Sequence, residues 1–152
     1  VLGDQYSVPN TVGEQALVAA GLDASKVVRL GGDDRVATSL KVAEWTTDSS
    51  RDVSEQLSYD KLAVSRADKH ADALAGGALQ GMHGSVVLLT WPGEIHEGVL
   101  SVIGAAQDNI SEIRFFGDEY SVSTSLMRAY TAPVPRDDVA WKPDDSVAFD
   151  LS

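Results

Sequence analysis

Lys61-Leu62-Ala63-Val64-Ser65, then Asp68-Lys69-His70-Ala71-Asp72-Ala73-Leu74-Ala75, then Gly76-Gly77-Ala78-Leu79-Gln80-Gly81-Met82, then Ser85-Val86-Val87-Leu88-Leu89: residues 61–89 decide the fold. Two short apolar runs rich in β-branched residues flank a segment with helical spacing. In that segment Ala71, Leu74, Ala75, Ala78, Leu79 and Met82 form an unbroken stripe. Strand, helix, strand at this spacing predicts a βαβ unit with parallel strands. Outward from it, Lys26-Val27-Val28-Arg29-Leu30 and Glu112-Ile113-Arg114-Phe115-Phe116 read as two more strands. Val36, Leu40 and Ala43 mark a helix, as do Ile95, Val99, Val102, Ile103 and Ala106, and a shorter one carries Val122, Leu126 and Ala129. The expected class is α/β, a small doubly wound, largely parallel sheet with helices on both faces. Gly76-Gly77 lies inside a helix, where each glycine costs about 0.5–1 kcal/mol against alanine, so that helix is expected to pack closely on the sheet.

Two regions interrupt the alternation. Residues 46–60 form a polar connection in which Val53 and Leu57 support one helical turn. Residues 131–152 carry prolines at 133, 135 and 143 and read as an extended Pro/Asp-rich tail or linker. An echo sets the domain plan. Gly3-Asp4-Gln5-Tyr6-Ser7-Val8 returns 114 residues later as Gly117-Asp118-Glu119-Tyr120-Ser121-Val122. Each copy follows apolar residues, Val1-Leu2 or Phe115-Phe116, and leads into a helical stripe. An offset of this size fits tandem copies of a small domain, not a solenoid. Residues 1–25 then form the end of a preceding repeat, and 26–130 form one repeat. The stripe Val8, Val12, Ala16 and Leu17 is expected to dock on a neighbouring molecule or to be mobile; the alternative, packing on its own chain, would place the repeat boundary elsewhere.

Composition removes several function classes. The chain has 152 residues and a formal charge of −11, from 12 Lys+Arg against 23 Asp+Glu. A basic footprint for nucleic acid is missing, as is the Lys/Arg face of a membrane-surface helix. The longest apolar runs are about five residues, far from the roughly 20 that span a bilayer. Neither a basic n-region nor an h-region opens the sequence, so no signal peptide is expected in these residues. With no cysteine there are no disulfides, thiolate metal sites or cysteine nucleophiles. His70, His83 and His96 stand 13 apart, which makes no i, i+4 zinc pair. His70, Asp72 and Ser85 supply the residue types of a hydrolytic triad, but G-x-S-x-G is absent. Both glycine-rich phosphate-loop patterns are absent too. The pairs Asp33-Asp34, Asp118-Glu119, Asp137-Asp138 and Asp144-Asp145 are the acids that would hold Ca²⁺, without EF-hand spacing. No cofactor is expected.

Arg29-Leu30-Gly31-Gly32-Asp33-Asp34-Arg35-Val36-Ala37-Thr38, then Asp72-Ala73-Leu74-Ala75, then Leu88-Leu89-Thr90, then Gly117-Asp118-Glu119-Tyr120-Ser121-Val122-Ser123 stand in a fixed order. Together they resemble the second type of cell-wall-binding repeat of Gram-positive surface proteins, over about residues 1–130. Val36 stands where that family favours an aromatic, and Ser85 where a proline often precedes the Leu-Leu-Thr strand. The resemblance implies a non-catalytic module, secreted and extracellular at the cell wall. It would be one of a tandem array, often of three, holding a larger protein to wall polymer, an anionic polysaccharide. Sibling repeats would pack against one another. The rivals are a purely structural repeat-packing module and a hydrolase or transferase on a Rossmann-like sheet.

Binding is expected outside the carboxyl ends of the strands, where βα turns cluster. The candidate polymer-binding residues are Arg35, Asp72, Thr90 and the Gly31-Gly32 turn. Arg35 opposes its helix dipole in the first turn and calls for a partner. Asp33, the expected N-cap, Asp34 or Asp72 would pair with it and lock two turns together. Alternatively its guanidinium is a bidentate donor to a ligand carboxylate or phosphate. With the turns after Leu30 and Ser65 on one edge, Arg35 is expected within salt-bridge reach of Asp72.

Overall fold

The computed structural model describes residues 1–134. The tail expected over 131–152 therefore lies almost wholly outside the described residues. The elements follow the order α1 (Asn10–Ala19), α2 (Arg35–Thr47), β1 (Ser58–Arg66), α3 (Ala71–Met82), β2 (Ser85–Thr90), α4 (Glu97–Ala106), β3 (Glu112–Phe116) and α5 (Thr124–Thr131). The strands form one sheet in the order β2-β1-β3, parallel throughout. Among the described residues no helix is long and apolar enough to cross a membrane.

Alternation along the strands sorts the two faces. Leu62 and Val64 of β1, Val86 and Leu88 of β2, and Ile113 and Phe115 of β3 share one core with Val99 and Ile103 of α4 and Leu126 and Tyr130 of α5. The opposite face carries α3. A Cβ on Gly76 would stand 2.2 Å from the Phe116 ring, so the close packing expected of the glycine pair belongs to Gly76. Gly77 has nothing within 4 Å. The β1–β2 register slips between Ser58 and Ala63, and side chains fill the gap. Buried Gln80 donates from Nε2 to the carbonyls of Lys61 and Val86 and accepts from Arg114 on Oε1. Ser85 Oγ donates to Ser58 O and accepts from the Lys61 N–H. One helix residue thus ties α3 to all three strands.

The strand expected over Lys26–Leu30 does not form. Ala24–Lys26 is a 3₁₀ turn capped by Asp23, and only Leu30 pairs, in a parallel bridge with Leu2. The outer edge of β2 is already covered: the Leu89 N–H, which points away from β1, donates to Ser39 Oγ of α2 at 3.0 Å. The backbone around Leu30 bonds to the first residues of the chain instead. Leu30 N donates to Val1 O at 2.9 Å, and Gly3 N donates to Leu30 O at 2.8 Å. Residues 1–20 therefore pack on their own chain, against 24–30. The contact is thin. No residue of α1 is fully buried, Val12 and Val18 are exposed, and the helix rests on Val1 and Val27 at Gly13. The connection over 46–60 is shorter than its polarity suggests, because α2 runs to Thr47 and β1 starts at Ser58 around one 3₁₀ turn, Val53–Glu55.

Candidate functional site

The turn into α2 is built backbone first. Gly32 lies so close to the helix that a Cβ there would meet Ala37 Cβ at 2.4 Å, and its N–H donates to Thr38 Oγ1 at 3.0 Å. The N-cap is Asp34, not Asp33: Asp34 Oδ1 accepts the Ala37 N–H at 2.7 Å. That bond, with a further one from the Trp91 indole at 3.3 Å, holds the Asp34 carboxyl below its ordinary pKa. The Lys41 ammonium donates to Gly31 O at 2.6 Å from the next turn of the helix.

This turn, the second face of β2 and α3 enclose an open groove of about 680 Å³. Val87, Leu89, Ala73 and Val42 give it apolar walls, and bare Gly77 keeps it wide. Its polar rim is Asp33, Asp34 and Arg35, together with the Gly3–Ser7 loop. Arg35 is exposed and donates from Nη1 to Ala67 O at 2.9 Å. It does lock two turns together, but through a carbonyl and not through Asp72.

Asp72 belongs to a second cluster, on the β3 side. Its Oδ2 accepts from Ser121 Oγ at 3.4 Å, and a Cβ on Gly117 would come within 2.8 Å of it. Arg66 pairs with Asp68 at 2.6 Å and donates to Ser121 Oγ at 3.1 Å. Asp68, Asp118 and Asp72 all favour the Arg66 cation, the hydrogen-bonded Asp68 most. The Asp118 carboxyl is held low chiefly by the Ser121 hydroxyl. The expected Arg35–Asp72 ion pair fails because each residue is satisfied on its own side of the β1 turn. Thr90 has no accessible surface. Its hydroxyl and that of Tyr130 lie 2.6 Å apart, and Tyr130 Oη accepts the His96 N–H at 2.9 Å.

Of the expected residues, the groove gathers Gly32 and Arg35, with Gly31 behind the rim against Gly3 O. Asp72 and Thr90 lie elsewhere. Ser85 lines a different cavity with Gln80, at the amino end of β2, so Arg35, Asp72 and Ser85 do not converge in one pocket. Among the described residues no three His, Asp or Glu side chains cluster as metal donors. Asp137-Asp138 and Asp144-Asp145 lie outside those residues. Trp91, Tyr130 and Ser121 were not legible as site residues, since their contacts span 57, 40 and 49 residues of chain. The Arg66–Asp68 pair had a signal, a cation two residues before an acid at a strand end.

No curated protein sequence matches the chain. Solved structures that share its fold include two clostridial proteins. Cwp6 from Clostridium difficile superposes with a TM-score of 0.72 at 20% identity, over 88% of this chain and 20% of that one. Cwp8 from the same organism gives 0.65 at 23% identity, over 87% and 19%. The chain thus spans about a fifth of either protein's length. The family described as Cell wall binding domain 2 (CWB2) matches residues 29–127, from the arginine that opens the glycine turn to the middle of α5. That match covers the glycine turn, the groove walls and the β3 loop in one run, and the chain belongs to this family of cell-wall-binding domains.

Proposed function

We propose that this domain holds a larger, secreted surface protein noncovalently to the polymer of a Gram-positive cell wall, as one repeat of a tandem array. Family membership supports the wall as target. The duplicated loop at residues 3 and 117 supports the array, with residues 1–25 as the end of a preceding repeat and 26–130 as the repeat itself. The observation that carries the contact site is the groove at the strands' carboxyl ends, with an exposed arginine on its rim. Arg35 spends one donor on Ala67 O, and a guanidinium has five. The remaining donors suit a carboxylate or phosphate on a polysaccharide, while the apolar walls suit sugar C–H faces. Asp72 contributes on the β3 side, beside Arg66. Thr90, fully buried, supports the turn and makes no contact.

A net charge of −11 repels a polyanion at long range, so an anionic polymer is held locally, by the Arg35 guanidinium on the groove rim, while the Gly31-Gly32 turn shapes that rim with its Gly32 N–H already given to Thr38 Oγ1. Binding then weakens little, or strengthens, as salt screens the repulsion. Pull-down on purified wall polymer at low and high salt, with and without Ca²⁺, tests this with the chain and with Arg35→Ala. The expected result is retention at high salt, reduced at least severalfold in Arg35→Ala. Affinity that collapses with salt, or that ignores Arg35→Ala, would sink this mechanism.

A further inference from the structure

The two copies of the duplicated loop have the same backbone. Gly3 and Gly117 both take positive φ, +94° and +117°. Asp4 Oδ1 accepts the Ser7 N–H at 2.7 Å, and Asp118 Oδ1 accepts the Ser121 N–H at 2.9 Å. Val8 N and Val122 N each donate to the aspartate carbonyl four residues back, both at 3.0 Å. Only the first copy is filled. There Leu30 forms its parallel bridge with Leu2, and the Arg29 guanidinium donates to three loop carbonyls: Gly3 O at 2.7 Å, Asp4 O at 2.9 Å and Val8 O at 2.6 Å. Gly31 completes the fit, since a Cβ on it would stand 2.5 Å from Gly3 O. Arginine, leucine and glycine thus serve as clasp, ladder and close approach.

The second copy is open along its strand edge and at exposed Gly117, while Asp118 O already accepts the Ser121 and Val122 N–H groups and Val122 is buried. β3 is an edge strand with no described strand beyond it. The Ala67 N–H bonds to Thr90 O, so Ser65 and Ala67 face β2, and Val64 and Arg66, which alternate with them, face β3. In the register Val64↔Phe115 the backbone groups of Phe116 then turn inward, and the Phe115 C=O and Gly117 N–H turn outward. By the echo these correspond to Val1 C=O and Gly3 N–H, the two groups that take Leu30. Among the described residues no group donates to the carbonyl of exposed Gly117. Asp68, Asp72 and Asp118 all act on Arg66 beside the loop, with Lys69 near Asp68, so acids outnumber bases there and the balance favours one more guanidinium.

We infer that Phe115–Val122 is a receptor for the Arg-Leu-Gly strand of another repeat of the same kind. That strand enters parallel to β3 on the Phe115 C=O and Gly117 N–H, with its arginine at the exposed Gly117 carbonyl beside the Asp118 and Asp72 carboxylates. This rests on the array reading given above and adds its joint: each repeat ends in the loop that clasps the first strand of the next. In the isolated chain Arg29 is held by its own residues 3–8, so the second receptor is open to a strand supplied in trans.

The test is an NMR titration of the uniformly ¹⁵N-labelled chain with a synthetic peptide of residues 24–33, and with the same peptide carrying Arg29→Ala or Gly31→Ala. The expected result is saturable shifts at the amides of Phe116–Val122, with binding at least about tenfold weaker for Arg29→Ala, which removes the charge-assisted bonds of the guanidinium. Gly31→Ala should bind as poorly, because its methyl meets the loop carbonyl. Every arm uses the unmodified chain, so no variant has to fold. No shift at 116–122 up to millimolar peptide overturns the inference, as do shifts confined to residues 3–8 or equal shifts from all three peptides. Polymer is absent, so failure here leaves wall binding standing, and failure of the pull-down leaves the joint standing.

Discussion

Glycine pairs look alike in a sequence and differ by what faces them. Gly76 and Gly77 are neighbours in α3, yet a Cβ would strike the Phe116 ring at 2.2 Å from the first and meet nothing within 4 Å from the second. Gly76→Ala should destabilise the domain by about 1–3 kcal/mol, because the ring sits between helix and sheet and cannot retreat without moving β3. Gly77→Ala should stabilise it by about 0.5–1 kcal/mol, by lowering the entropy of the unfolded chain and restoring helix propensity. Urea unfolding of the two variants checks both signs, and equal effects would contradict the packing described. The same contrast explains the capping error at Asp33. Both acids precede the helix, and only the backbone bend at Gly32 brings Asp34 onto the Ala37 N–H.

At the level of elements, one hydroxyl joins three of them. Tyr130 on α5 meets Thr90 at the end of β2 and the His96 N–H at the start of α4; the tyrosine and the threonine have no accessible surface and the His96 bond is part-buried. Tyr130→Phe keeps the ring, removes the acceptor of the His96 N–H and leaves the Thr90 hydroxyl with only the longer bond to Glu94 O at 3.5 Å. An unmade buried bond costs about 1–3 kcal/mol, so thermal unfolding should move down by that amount while the far-ultraviolet circular dichroism stays native. A variant as stable as the parent would mean that water replaces the hydroxyl. Helix periodicity announced that α4 and α5 exist and which stripe each buries, because spacing at i, i+3 and i+4 is local. It carried no information on the tyrosine network or on Gln80, whose partners are set by the stacking of elements. The 26–30 segment shows the limit of pattern reading. Its β-branched run suits a strand, but a strand needs an edge, and Ser39 of α2 already occupies the outer edge of β2.

For the whole molecule, acid is the informative variable. Asp34, Asp118, Asp4, Asp68 and Glu112 all have pKa values held below their ordinary ones, first by the Ala37 N–H, the Ser121 hydroxyl, the Ser7 N–H, the Arg66 guanidinium and the Arg114 guanidinium respectively. A carboxyl with a lowered folded pKa contributes stability that is complete above its unfolded value and is lost as pH falls through the folded one. The melting temperature should therefore hold from neutrality to about pH 5, helped by relief of the net negative charge, and drop steeply below about pH 4. A fall that begins between pH 7 and 5 would point to groups other than these carboxylates. What the sequence by itself determined is the parallel α/β class, the positions of most elements and the duplicated loop. These follow from periodicity, turn chemistry and self-similarity, all of them short-range signals along one chain. Which candidate residues meet was decided only by the tertiary structure. Arg35 reaches a carbonyl, Asp72 turns to the β3 cluster and Thr90 disappears into the core, because the direction of a side chain at the end of a strand depends on which helix packs beside it, and that packing is a property of the assembled layers.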